Sequence, residues 1–198
     1  MLEAEAKWFG TRLLELADPA VFPMLNIGSH TEQFRTISQP WIDRFIFAPA
    51  RARGVVKHTD IRLAPGVDIV GDLTDPAFVQ DLRGMNFKSV FFSNVLEHIE
   101  AREELARTVT AVVPSGGYLF VSVPYRFPYH PDPIDTMFRP TPEEVASLFP
   151  GTRTQSAEIV ASGTLVNYIA GRVSVSPGER ETGRGLRRRD SHRLGRRR

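Results

Sequence analysis

The segment "VFPMLNIGSHTEQFR", residues 21–35, runs from apolar residues through Gly28 into small and polar ones. That is the pattern of a strand feeding a ligand-binding turn, although a phosphate-cradling turn uses several glycines and Gly28 stands alone. Single polar groups close other apolar runs: Asp60, Asp72, and the "SNVLEH" of residues 93–98. An isolated aspartate in such a place is more often a helix cap or a surface turn, but a series of them in order carries more weight. The segment "VPYRFPYHPDPIDTMFRPTPEEV", residues 123–145, concentrates prolines, aromatics and ionisable side chains, among them His130, Asp132, Asp135 and Arg139. It is long for a strand-to-helix link, and long links there usually bear on function. His130 is the first candidate for a base, because imidazole suits proton transfer near neutral pH. Asp135 is the second; the alternative is that Asp135 and Arg139 pair only to fix the loop. His98 and His130 invite a metal reading, but no histidine pair at i, i+4 and no carboxylate cluster supports it, so no metal is expected.

These residues need elements to position them. Residues 3–17 read as a helix with Phe9, Leu13 and Leu16 on one face, stopped at Asp18-Pro19. Strands are expected at Met24–Ile27, Val55–His58 (running on to Asp60), Val67–Val70, Ser89–Ser93 and Tyr118–Val123. Helices are expected at 76–84, capped by Asp75 with Pro76 first, at Glu97–Val112, and in "TPEEVASLFPG", residues 141–151, with Thr141 as cap and Pro142 first. Thr31–Ile37 is weakly helical, and "QPWIDRFIFAP" is a proline-bounded short helix. Strands alternating with helices, each strand a near-continuous apolar run, specify an α/β domain with a doubly wound, mostly parallel sheet. Such sheets bind ligands outside the carboxyl ends of their strands, which is where the polar groups above fall.

The chain has 198 residues, enough for one domain, and no cysteine, which excludes disulfides, thiolate nucleophiles and Cys-ligated zinc. No run is apolar for about 18 residues, so no membrane span is expected, and the acidic "MLEAEAKWFG" lacks the apolar core of a signal peptide. A cytoplasmic protein is the expectation. The net charge of +2 conceals an asymmetry: Arg172–Arg198 carries ten arginines against three acids, a net +7, leaving −5 on the rest. Residues 1–175 read as the domain and 176–198 as an Arg-rich disordered tail, too poor in apolar residues to offset its ordering entropy. An acidic body offers no basic groove, so nucleic acid is not an expected partner except through the tail.

Taken together, Asn26-Ile27-Gly28-Ser29, Asp60, Gly71-Asp72-Leu73, "SNVLEH" and Val123-Pro124-Tyr125 resemble the strand ends of class I S-adenosylmethionine-dependent methyltransferases. The likeness is strongest to the bacterial type 11/12-like group with "VLEH" after the fourth strand, and it covers roughly residues 20–165. It implies a Rossmann-like fold and S-adenosyl-L-methionine as cofactor. It implies that Asn26, Gly28 and Ser29 pass under the methionine part. Asp60, with Ile61 beside it, would hold the ribose hydroxyls, and Asp72 would meet the adenine amino group while Leu73 packs on the ring. Ser93 and Asn94 would line the pocket, with Glu97 toward the methyl end. His130, Asp132, Asp135 and Arg139 match the family's histidine, Pro-Asp pair and aromatic-Arg-x-Thr step, which places His130, Asp135 and Arg139 at the methyl end as the catalytic candidates. A carboxylate suits two adjacent hydroxyl donors, and an apolar side chain suits the flat face of adenine.

There are departures. The family turn carries two or three glycines and an acid before the first; here Asn26 stands in place of the acid, and His30 and Glu32 occupy positions of small residues. Gly28 and Asp60 are further apart than the ~20 residues of a compact dinucleotide fold, and "SQPWIDRFIFAPARARG" reads as an insertion or extended helix. S-adenosylmethionine has no pyrophosphate, so a thin glycine turn tells against a dinucleotide oxidoreductase. A sixth strand is expected near 155–161 and a seventh is missing, so the sheet is expected to be truncated at that edge. The absence of an "NPPY"-like step and the acidic body favour a small-molecule acceptor, with oxygen slightly preferred. The competing readings are a non-catalytic methyltransferase-like binding protein and an RNA methyltransferase that uses the basic tail.

Overall fold

The structure is a computed structural model, and it describes residues 1–130 and 134–162. Asp132 and everything from 163 on, including the expected tail, lie outside the described residues. The chain opens with α1 (Glu3–Leu14) and a short α2 (Asp18–Val21), then β1 (Met24–Ile27). A helical stretch follows: a π-turn at Phe34–Ser38, α3 (Pro40–Ile42), a second π-turn at Asp43–Phe47 and α4 (Ala48–Arg51). Then come β2 (Val56–Asp60), β3 (Ile69–Val70), α5 (Pro76–Gly84) and β4 (Ser89–Ser93). The chain continues through a 3-10 turn at Leu96–His98, α6 (Arg102–Val112), β5 (Tyr118–Ser122) and α7 (Pro142–Ser147).

The five strands form one sheet in the order β3-β2-β1-β4-β5, and every pairing is parallel. Of the apolar runs read from the sequence, β1 and β4 are covered on both faces, whereas the edge strand β3 leaves Val70 exposed. Side chains alternate across the sheet, and the two faces are packed differently. Leu25, Ile27, Val90 and Phe92 join Leu82, Ala106, Val109 and Val112 beneath α5 and α6. Met24, Phe91 and Phe120 join Ala6, Phe9, Leu13, Ile46 and Phe47 beneath α1 and the helical stretch. Burying each of these large side chains contributes about 1.5–3 kcal/mol. Gly10 of α1 lets the second layer close, because a Cβ there would stand 2.3 Å from the Phe45 carbonyl oxygen.

Several boundaries differ from expectation for identifiable reasons. Asp18 does not only stop α1, which ends at Leu14; it opens α2, with Pro19 in the first turn where no donor is lost. The segment read as an insertion is the crossover from β1 to β2, and its Ile46 and Phe47 cover the sheet. The helix expected over Glu97–Val112 is broken. The Glu97 carbonyl accepts from both the backbone N–H and the hydroxyl of Thr136, each at 2.9 Å, and Ile99 is extended. The carbonyl that would have continued the helix is taken by the long loop. Residues 155–161 form no strand; they are mostly exposed, and β5 pairs only with β4 among the described residues. Asp75 and Thr141 cap α5 and α7 as expected, Thr141 through a reciprocal capping box with Glu144.

Candidate functional site

In this strand order the direction of winding reverses between β1 and β4, so the carboxyl ends of those strands are the place to look for a ligand. The turn after β1 is left-handed twice, at Gly28 (φ 67°) and His30 (φ 55°). Gly28 has no room for a side chain, since a Cβ would lie 2.7 Å from a methyl of Val95. The amides that follow are already used. Ser29 N–H donates to the Thr59 carbonyl at 3.0 Å, His30 N–H to Asp60 Oδ2 at 2.9 Å, and Thr31 N–H to His30 Nδ1 at 2.8 Å. A phosphate cradle needs such amides pointing at the ligand. This turn spends them internally, in agreement with the thin glycine content.

Arg35 completes the turn, and nothing in the sequence pattern marks it. Its guanidinium is buried and donates to the carbonyls of Ser29 (2.8 Å), His30 (2.7 Å) and Gly66 (2.7 Å). Asp60, at the end of β2, accepts from the amides of His30 and Arg62 (3.2 Å), so its carboxylate ties the ends of two neighbouring strands. Ile61 beside it is exposed. Asp72 is exposed after β3 and accepts from the Thr74 amide at 2.8 Å, which holds its carboxyl below the usual range. Leu73 is partly buried against the first core cluster.

Asn26 does not point into an open strand end. It pairs across the register with His58, Nδ2 donating to Nδ1 at 3.0 Å, and both side chains are buried. Burial, first, and then the Arg35 charge push the His58 imidazole down to about 4, so it is neutral and can accept. At the end of β4, Ser93 and Asn94 meet Ser122 from β5: the two serine hydroxyls stand 2.7 Å apart, and Asn94 Nδ2 reaches Ser93 Oγ at 2.9 Å. A carboxylate from α1 sits on this group. Glu5 Oε1 accepts from Ser122 Oγ at 2.5 Å and from Asn94 Nδ2 at 2.9 Å. Glu5 was not foreseeable from strand-end motifs, since it lies 117 residues before Ser122; Ser122 is the last residue of β5, next to the Val123-Pro124-Tyr125 read as that strand's end.

The long loop folds back onto the 3-10 turn after β4. Thr136 holds the Glu97 carbonyl, His98 Nδ1 lies 2.5 Å from the Ile134 carbonyl, and Arg102 lies 4.4 Å from the Phe138 ring centre. These contacts bring His130 beside His98, with ring centres 5.4 Å apart. Asp135 organises the loop. It accepts from the amides of His130 (3.0 Å) and Met137 (2.8 Å) and takes both arms of Arg139, at 3.0 and 2.6 Å. The Arg139 bonds hold the Asp135 carboxyl well below the usual carboxylate range, which makes it a weak base. Arg139 also donates to the Phe127 carbonyl, so the pair fixes the loop. His130 Nδ1 stands 3.0 Å from Asp135 Oδ2, off the axis of a hydrogen bond.

Glu97 is 1% exposed, its Oε2 has no hydrogen-bond partner, and burial pushes its carboxyl up to about 7. The structure thus gathers the expected residues into three groups: Gly28, Ser29 and Asp60 at one turn, Ser93 and Asn94 under Glu5, and Glu97, His130, Asp135 and Arg139 under the loop. Asn26 and Leu73 are turned to packing.

The all-parallel order with polar groups at the carboxyl ends of its strands defines a Rossmann-like α/β chain. The chain matches no protein-family model, no curated protein and no solved structure. No helix among the described residues is long and apolar enough to cross a membrane.

Proposed function

We propose that this chain is an S-adenosylmethionine-dependent methyltransferase acting on a small-molecule acceptor, with oxygen the favoured acceptor atom. The observation that carries the reading is the Asp60 carboxylate at the end of β2, 2.9 Å from the amide of the turn after β1, beside the reversal point of the sheet. Each of its oxygens accepts one backbone N–H and keeps a lone pair for a vicinal diol such as ribose. The turn's own use of its amides supports a cofactor without a pyrophosphate. When bound, S-adenosylmethionine would supply an activated methyl group to the acceptor oxygen, and a base on this chain would take the acceptor's proton. His130 is the proposed base, oriented by Asp135 and Arg139 as positioning residues. The loop over the strand ends would align the acceptor and exclude water.

A second reading, a non-catalytic methyltransferase-like binding protein, is favoured by one feature: Glu5 occupies the polar groups of Ser93, Asn94 and Ser122 that a cofactor would use. Calorimetric titration with S-adenosylhomocysteine separates the two. Binding that weakens about tenfold in Asp60→Ala, as loss of a charge-assisted hydrogen bond implies, supports the enzyme. No heat at millimolar ligand sinks it.

A further inference from the structure

Glu97, His98 and His130 each offer one ligand atom, and these atoms all lie within 4.8 Å of one another. Glu97 and His98 come from the 3-10 turn after β4, whereas His130 arrives on the loop 32 residues later, so only the folded chain assembles the set. We propose that these three residues bind a first-row divalent cation of the zinc or ferrous type, a site that clamps the loop to the end of β4.

Three features support this. Ligands about 2.1 Å from one ion at the tetrahedral angle stand about 3.4 Å apart; Glu97 Oε1 and His98 Nε2 are already 3.8 Å apart. The His130 ligand atom lies within 4.8 Å of both. His98 directs Nδ1 at the Ile134 carbonyl, which fixes that nitrogen as the donor and turns the Nε2 lone pair to the cluster. Metal-bound imidazoles are oriented in this way. Finally, a buried carboxylate oxygen of the set, Glu97 Oε2, lacks any hydrogen-bond partner. Leaving such an atom unpaired in a protein interior is costly, and a cation held by Glu97 reduces the cost. Two imidazoles and one carboxylate select a borderline ion over magnesium or calcium, which prefer all-oxygen sets. Three protein ligands leave a position open to water or to an acceptor oxygen. With the ion in place His130 is a ligand and not the base, so the two roles are alternatives.

The binding claim does not rest on the cofactor reading, and the two fail separately: one is read with S-adenosylhomocysteine, the other with metal alone. The full chain is stripped with chelator and titrated with Zn²⁺ at neutral pH. The expected result is one ion per chain with micromolar or tighter affinity, weakened about tenfold or more in Glu97→Gln and in His98→Ala and unchanged in His30→Ala and His192→Ala. Nitrogen-detected NMR of the wild-type imidazoles guards against variants that fail to fold: zinc should shift His98 and His130 and leave His30, His58 and His192 in place. Affinity no tighter than millimolar, folded Glu97→Gln and His98→Ala proteins that keep wild-type affinity, or zinc shifts confined to the other histidines would overturn the site.

Discussion

Arg35 is the residue whose replacement tests the site's framework most directly. It is buried, and its guanidinium satisfies three carbonyls on two segments, Ser29 and His30 after β1 and Gly66 before β3, at 2.7–2.8 Å. A hydrogen bond from a charged donor contributes about 1.5–3 kcal/mol. The three bonds are not additive, because they share one side chain and water will reach some of the carbonyls once it is gone. Arg35→Ala should therefore cost about 3–5 kcal/mol, more than one charged hydrogen bond and less than the sum of three. For a domain of this size that is a fall in Tm of about 10 °C. Arg35→Lys keeps the charge but not the planar fork, and should fall between. Urea unfolding followed by far-UV circular dichroism measures the cost, and hydrogen exchange at the amides of Ser29, His30 and Thr31 reports whether the turn itself loosens. An alanine variant within about 1 kcal/mol of wild type, with unchanged exchange at those amides, would refute the claim that this arginine holds the turn.

Two further outcomes follow from the packing. His58 is pushed from 6.5 to about 4 when folded, so the unfolded chain takes up the proton first; the His58 contribution is intact above pH 6.5 and is lost as pH falls toward 4. The loss is at most roughly 3 kcal/mol; denaturant midpoints across that window should drop in wild type and flatten in His58→Gln, and equal slopes would show that His58 is not buried neutral against Asn26. In Gly10→Ala the new methyl meets the Phe45 carbonyl, a backbone atom that cannot rotate away. It should cost about 1–3 kcal/mol in urea unfolding, and a neutral result would mean that α1 does not pack this closely on the 43–47 turn.

The middle of the sheet was legible because β1 and β4 are buried on both faces. "MLNI", "SVFFS" and "YLFVS" are apolar enough to be read without their partners, and they lie within a residue of where they were expected. Caps were legible for a similar reason: Asp75 and Thr141 act on amides two or three residues away. What failed depended on distant chain. The Glu97–Val112 helix looked continuous because its sequence is helical, and it is broken by a hydroxyl from Thr136. The β1–β2 crossover reads from the sequence as an insertion or an extended helix; its helical character holds, but its π-turns spoil the 3.6-residue period by which a covering helix is recognised.

The candidate site divides along the same line. Gly28 and Asp60 could be found because the end of a strand is a place in the sequence as well as in space. Arg35 and Glu5 could not, because each acts on groups that only folding brings near. The loop shows both cases at once. Asp135 and Arg139 read from the sequence either as catalytic candidates or as a pair fixing the loop, and the structure pairs them. Their effect is to hold His130 against Glu97 and His98, and no spacing encodes that. The expectation of no metal rested on the lack of an i, i+4 histidine pair and of a carboxylate cluster. Glu97 and His98 are adjacent in sequence, whereas His130 reaches them on a loop pinned by Thr136 and Arg102, a grouping that neither criterion addresses. The loop's anchoring bonds, more than its ionisable residues, are therefore what make the Glu97 cluster a place where chemistry can be tested.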